Sequence, residues 1–228
     1  MNEAAARLAS AREEALVRVK TLAKERLTPL YACGPYHPWA SPASFSEEIL
    51  PEVGLPPSSA LLTLKRLRCV PGGYTSGMPL VRHYADLLAS ALIRLAGKHG
   101  LPSAVVCAVP SSRRGGAERG LDRVVEEACA AAGSRFRPLG LLLRTASLEP
   151  AHFGRTLRSP EDQIFTLAPA LELEPGADWV VLVDDVVSSG TTLRGACALM
   201  ESYFGVRTLG LALGATPDRG ERLSAEIV

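Results

Sequence analysis

The chain has no uninterrupted apolar stretch approaching the ~20 residues that span a bilayer, which speaks against a membrane-spanning helix. Its opening residues, MNEAAARLASAREEALVRVK, lack the apolar core and small-residue cleavage site of a signal peptide. A cytoplasmic protein with no membrane partner is the expectation. There is no excess of one charge either: 25 Lys and Arg against 24 Asp and Glu leave a formal net charge of +1. That removes the global electrostatic case for nucleic acid, and no helix-turn-helix pattern makes a local one. The five cysteines, Cys33, Cys69, Cys107, Cys129 and Cys197, are odd in number and scattered, with no CxxC pair. This argues against a disulfide framework and against structural zinc. Cys107 and Cys197 lie in apolar patterns and are expected to fill core space, while Cys33 is a candidate for exposure. No Gly-Lys-Ser/Thr is present, so the chain has no P-loop. Internal repeats and low-complexity segments are also missing.

What remains is globular. A length of 228 residues suits one domain with additions, at roughly 100–200 residues per domain, and 47% hydrophobic content supports a sizeable core. Residues 3–27 read as an amphipathic helix, with Leu8, Ala11, Ala15, Val19 and Leu22 at three- and four-residue steps. Four prolines and a glycine make residues 28–44 irregular. Residues 77–100 form a second helix, stopped by Gly100. The period then changes. Short apolar runs at 103–110, 138–145, 178–185 and 207–216 read as buried strands, with helices at 117–133 and 191–205. Alternating strands and helices predict a central, mainly parallel sheet flanked by helices. The α/β core is expected over about 103–216, within a functional domain of 61–228, and residues 1–60 form an N-terminal helical extension.

The run VVLVDD ends in two adjacent carboxylates, Asp184 and Asp185. Ligands of open parallel sheets bind beyond the carboxyl ends of the strands. Two acids side by side there repel each other and need solvation by sugar hydroxyls, a hydrated divalent cation or a basic residue. After Val186 and Val187 come Ser188, Ser189, Gly190, Thr191 and Thr192, opening a helix. Unpaired amides and the positive dipole end favour a phosphate, the hydroxyls add donors, and Gly190 permits close backbone approach. An ordinary strand–loop–helix cap is the simpler alternative. Acids for ribose hydroxyls beside donors for a phosphate fit a ribose 5-phosphate better.

VVLVDDVVSSGTTL resembles the phosphoribosyl-diphosphate (PRPP) motif of type I phosphoribosyltransferases: a hydrophobic strand, two acids, two hydrophobic residues and a Thr/Ser-rich loop. The resemblance implies the type I phosphoribosyltransferase fold with an N-terminal helical hood. It implies that Asp184 and Asp185 hold the ribose 2- and 3-hydroxyls and reach a Mg²⁺ ion, and that Ser188 to Thr192 cradle the 5-phosphate, with Val186 and Val187 in the same binding segment. Pro110, Ser111, Ser112 and Arg113 stand at the family's diphosphate loop, where Arg113 or Arg114 supplies charge. The polar stretch of residues 144–163, with Arg144, His152, Arg155 and Arg158, stands where a mobile loop closes over the reacting carbon. The layout is most similar to ComF-like phosphoribosyltransferases, with Lys65 at a matching basic position. It departs from them in four ways. The cysteine-rich zinc-binding start is missing, His152 replaces a Gln, the family's Asn near the loop end is replaced around Pro160, and Ser111 and Ser112 replace a bulkier, more basic pair.

The implied activity is Mg²⁺-dependent transfer of 5-phosphoribosyl from PRPP to a nitrogenous base, through an oxocarbenium-like transition state. Asp184, Asp185, Arg113 and Arg155 are the expected catalytic set. Acceptor identity depends on the region before residue 103 and on residues after the last core strand. Phe45 and Tyr74 are candidate stacking residues there. Tyr84 falls on the core side of its helix, and Trp39 and Trp179 show no clear role. The alternative is a catalytically weak or inactive PRPP- or nucleotide-sensing regulator, linked to nucleic-acid uptake or nucleotide metabolism. The resemblance leaves a homodimer open. The N-terminal helix is expected to pack on its own core.

Overall fold

The computed structural model describes residues 3–22, 29–36, 60, 61, 63, 64, 78–111, 120–148, 159–173, 176–216 and 225–228. Six strands form one sheet: β1 (Leu30–Ala32), β2 (Ala104–Ala108), β3 (Phe136–Pro138), β6 (Trp179–Val187), β7 (Arg207–Ala215) and β8 (Glu226–Ile227). Their order is β3-β2-β6-β7-β1-β8, and every adjacent pair is parallel. β4 (Leu142–Arg144) and β5 (Leu167–Pro169) make a separate antiparallel pair. The predicted fold class, a parallel sheet flanked by helices, is the one the chain adopts.

Both faces of the sheet are covered. Alternate residues of β2 and β6 divide between two clusters, as the two-residue strand period requires. Val106, Val181 and Val183 face α2 (Met78–His99) and α3 (Gly120–Ala132) through Leu88, Leu92, Leu121 and Val124. Val105, Cys107, Val180 and Leu182 face the other way, toward α5 (Thr191–Phe204), α4 (Pro160–Thr166) and α1 (Glu3–Leu22). Strands buried on both faces explain why the sequence shows continuous apolar runs there rather than alternation. Each fully buried Leu or Val contributes roughly 1.5–3 kcal/mol, and the largest side chains with almost no exposure, such as Leu92 and Leu182, lie in these two layers.

Helix ends follow their signals. Gly100, Gly133 and Gly205 have φ of 63°, 100° and 70° and close α2, α3 and α5. Ala11, Ala15 and Val19 of α1 are buried, and Arg18 pairs with Glu201 of α5 at 3.2 Å, so α1 packs on its own core. Tyr84 is buried, as its place in the helical period required. Among the described residues, no helix is long and apolar enough to cross a membrane.

Three expectations need correction. Residues 28–44 are not irregular throughout: Leu30, Tyr31 and Ala32 form β1, pairing with Gly210, Leu211 and Ala212 of β7. Three buried residues in a row are too short to show a period. The run 138–145 is not one strand. Pro138 ends β3, which began at the unremarkable Phe136-Arg137, and the chain re-forms as β4 in the small sheet. Proline has no N–H to continue a ladder. The stretch 144–163 is bounded more tightly than a loop. Arg144 lies on β4, and Ser159 caps α4, accepting from Asp162 N–H at 3.2 Å while its own N–H donates to Asp162 Oδ2 at 2.9 Å. Ser-Pro-Glu-Asp is a capping box with proline in the first turn, a legible signal that sequence reasoning missed.

Candidate functional site

Among the described strands, the order reverses at one topological switch point, between β2 and β6. After β2 the chain leaves through α3 to β3 on one side, and after β6 it leaves through α5 to β7 on the other. α3 and α5 lie on opposite faces. A crevice therefore opens between the carboxyl ends of β2 and β6, where open α/β sheets take ligands. The ladder fixes what faces it. Ala108 pairs with Val183, and Val109 N–H donates to the Val183 carbonyl at 2.8 Å. Pro110 and Ser111 thus run beside Asp184 and the residues after it. Both are part-exposed.

Asp184 and Asp185 sit where the pleat slips by one residue. Residues three apart on a regular strand face opposite sides, yet Val183 and Val186 both pack on the α2–α3 cluster, and Val187 returns to the α5 side. The carboxylates serve the slipped backbone: Asp185 N–H donates to Asp184 Oδ1 at 2.9 Å, and Val186 N–H to Asp185 Oδ1 at 2.8 Å. Asp184 is part-exposed and Asp185 is 9% exposed. β7 slips at the same level. Leu213 faces one cluster and Ala215 the other. A Cβ at Gly214, between them, would lie 2.8 Å from Tyr36 Cβ.

The loop that follows is closed from below. Thr216 N–H donates to the Val187 carbonyl at 2.9 Å, and β6 ends there. Ser188 and Ser189 are exposed, and Thr191 and Thr192 are part-exposed. Gly190 is the N-cap of α5 at φ 76°, ψ 3°, and provides no capping side chain. The first helical turn carries amides without partners inside the helix. Ser189 Oγ lies 2.8 Å from Thr191 Oγ1 and accepts a long bond from Thr191 N–H at 3.4 Å. Arg194, one turn on, donates to the Ser189 carbonyl at 2.5 Å. Burial holds its guanidinium below the ordinary arginine value. Sequence reasoning passed over Arg194, although a basic residue one turn into a helix, against the dipole, was visible.

Of the predicted site residues, Pro110, Ser111, Asp184 and Asp185 lie at the adjacent carboxyl ends of β2 and β6, Ser188, Ser189, Gly190, Thr191 and Thr192 follow in the loop and first turn of α5, and Val186 and Val187 pack into the two core clusters. Ser112, Arg113, Arg114, His152, Arg155, Arg158, Lys65, Phe45, Tyr74, Trp39 and Cys69 lie outside the described residues. Arg144 does not act as a loop arginine. It is 5% exposed on β4 and donates to the Pro110 and Ser111 carbonyls. Trp179 is buried at the opposite end of β6, with the Arg207 guanidinium 4.2 Å from its ring centroid. Cys107 and Cys197 are core residues as expected. Cys33 is part-buried rather than exposed, and burial pushes its thiol up to about 12.

No protein-family model matches the chain, and no curated protein matches it in sequence. Solved structures of similar shape include a hypoxanthine phosphoribosyltransferase from Staphylococcus aureus, 14% identical. It aligns over 64% of this chain and 69% of its own, with a TM-score of 0.36. Another is an alanine mutant at an invariant aspartic acid of an HPRT, 16% identical. That alignment covers 62% of this chain and 70% of the other, with a TM-score of 0.36. Likeness at this distance carries no weight for activity, and the functional reading rests on the chain's own residues.

Proposed function

We propose that the chain is a phosphoribosyltransferase that binds PRPP at the β2–β6 crevice and transfers its 5-phosphoribosyl group to a nitrogenous base. The observation that carries this reading is the direct succession of Asp184 and Asp185, at the end of β6, and the Gly190-capped start of α5. Carboxylates accept hydrogen bonds from vicinal ribose hydroxyls. The first-turn amides of α5, with the hydroxyls of Ser188, Ser189, Thr191 and Thr192, suit the 5-phosphate. A five-carbon sugar phosphate joins these two chemistries over the distance of one short loop.

In the proposed reaction a ring nitrogen of the base forms a bond to ribose C1. The bond from C1 to the diphosphate oxygen breaks, and its electron pair leaves with diphosphate. The nitrogen's proton passes to solvent. The protein's share is positioning and charge compensation: Asp184 and Asp185 orient the ribose, and Ser111 and Ser112 offer donors to the diphosphate. Arg113 and Arg155 are assigned to its charge. Carboxylate oxygens are the hard donors that Mg²⁺ takes, so Asp184 and Asp185 would hold that ion. When bound, it supplies positive charge to the departing diphosphate. Among the described residues, no three or more His, Cys, Asp or Glu side chains gather into a cage for a metal ion.

Diphosphate release tests the reading. The purified chain, given PRPP, Mg²⁺ and a panel of purine and pyrimidine bases, is expected to release diphosphate with at least one base. PRPP binding without release for any base would overturn the transferase assignment in favour of a PRPP-sensing protein.

A further inference from the structure

Arg144 is a buried cation with an unusual set of partners. Its Nε donates to the Ser111 carbonyl at 3.1 Å and its Nη2 to the Pro110 carbonyl at 3.3 Å. Its Nη1 donates to Gln163 Oε1 at 3.0 Å and Thr166 Oγ1 at 2.7 Å. One planar fork thus joins the turn after β2 to α4. Gln163 is fully buried, and α4 lies hard against α5. A Cβ at Gly195 of α5 would stand 2.7 Å from Gln163 Cβ and 2.8 Å from the Pro160 carbonyl. The contacts form one continuous path, from α5 through Gly195, Gln163 and Arg144 to Pro110 and Ser111.

We infer that Arg144 is a positioning residue for the diphosphate half of the site; this rests on the phosphoribosyltransferase reading above. The physical reason lies in the peptide plane. In a trans peptide the carbonyl and the following N–H point in opposite directions. A guanidinium that holds the Pro110 carbonyl therefore turns the Ser111 N–H away from itself. Two carbonyls held by one rigid fork fix the turn's tilt as well as its height. The other arm ties that tilt to α4, and through Gly195 to the helix proposed to hold the 5-phosphate. Arg144 sets the distance between the two anion grips without touching the ligand. The same geometry explains why a polar side chain is buried here: each of these bonds ends on a neutral oxygen that needs a donor.

Two ligands separate this role from general support of the fold. PRPP with Mg²⁺ uses both grips, and ribose 5-phosphate uses only the Ser188–Thr192 side. Affinities for both are measured by calorimetry for the full chain and for Arg144→Gln, Arg144→Lys and Thr166→Val. Arg144→Gln and Arg144→Lys are each expected to weaken PRPP about tenfold, the loss of one or two charge-assisted bonds, with ribose 5-phosphate affinity changed less than about twofold. Lysine keeps the charge but not the fork, so a similar loss in both variants marks a geometric role. Thr166→Val removes one anchor on α4 and leaves the guanidinium in place. It is expected to shift the PRPP to ribose 5-phosphate ratio in the same direction, by less, and stands as the test should the Arg144 variants not fold. An unchanged ratio, with both ligands bound, overturns the inference alone. If the unaltered chain binds neither ligand, the phosphoribosyltransferase reading fails and this inference fails with it.

Discussion

Leu30 of β1 and Gly190 of the β6–α5 loop meet with no room for a side chain between them. A Cβ on Gly190 would run into Leu30 Cδ1 and stand 2.8 Å from Arg194 Nη1. Gly190 also holds φ 76°, which costs an L side chain roughly 1–2 kcal/mol. Overpacking adds a further ~1–3 kcal/mol. Gly190→Ala is therefore expected to destabilise the fold by about 2–5 kcal/mol in urea unfolding and to weaken ribose 5-phosphate binding. Leu30→Ala in the same chain should recover part of that loss despite its own cost. A Gly190→Ala protein as stable as the original would show that the loop does not sit against β1.

His99, at the end of α2, makes stability depend on pH. Its Nε2 lies 2.7 Å from Tyr31 Oη, and Lys98 beside it pairs with Glu226 at 2.5 Å. Burial, with Lys98 second, holds His99 below its ordinary value of 6.5. The unfolded chain therefore takes up the proton first as pH falls. The contribution of His99 is fully present above pH 6.5 and is lost as pH drops through the lowered folded value. Urea midpoints at pH 7.5 and 5.5 should fall more for the original chain than for His99→Gln. Equal falls would contradict the assignment.

Burial also silences three thiols. Cys33, Cys129 and Cys197 are each pushed up to about 12. At pH 8 that leaves roughly one thiolate in ten thousand. Iodoacetamide at pH 8 should leave all three unmodified in the native chain and modify all three in urea, read peptide by peptide by mass spectrometry. Rapid native labelling of Cys33 would mean that β1 opens at its end.

Much of this fold was readable because its central strands are buried on both faces. Val180 to Val183 and Leu209 to Leu213 announce themselves as apolar runs, and Gly100, Gly133 and Gly205 stop helices by a mechanism local to each residue. The acids and the hydroxyl loop were legible for a different reason: Asp184, Asp185 and Ser188 to Thr192 are contiguous, so one segment carries half of the candidate site. Segments whose partners are distant in sequence stayed hidden. β1 is three residues long and exists because β7 lies beside it, 180 residues on. Arg144 reads as a loop arginine until Ser111 and Gln163 close around it, 33 and 19 residues away. The pleat slip at Asp185 follows from the way Val183 and Val186 pack, and a string of letters does not show packing.

The most direct test is calorimetric titration of PRPP with Mg²⁺ into the full chain and into an Asp184→Asn, Asp185→Asn double variant. Asparagine keeps an Oδ1 acceptor for the Asp185 and Val186 N–H groups, whose bonds are 2.9 and 2.8 Å, so the fold should survive. What it removes is charge and the full accepting capacity that two ribose hydroxyls and a cation require. Saturable PRPP binding by the full chain, reduced at least about a hundredfold in a folded double variant, is the expected result, from two lost charge-assisted contacts at roughly tenfold each. PRPP binding that survives the double substitution unchanged, or no PRPP binding by the full chain, would contradict the ribose assignment at its base.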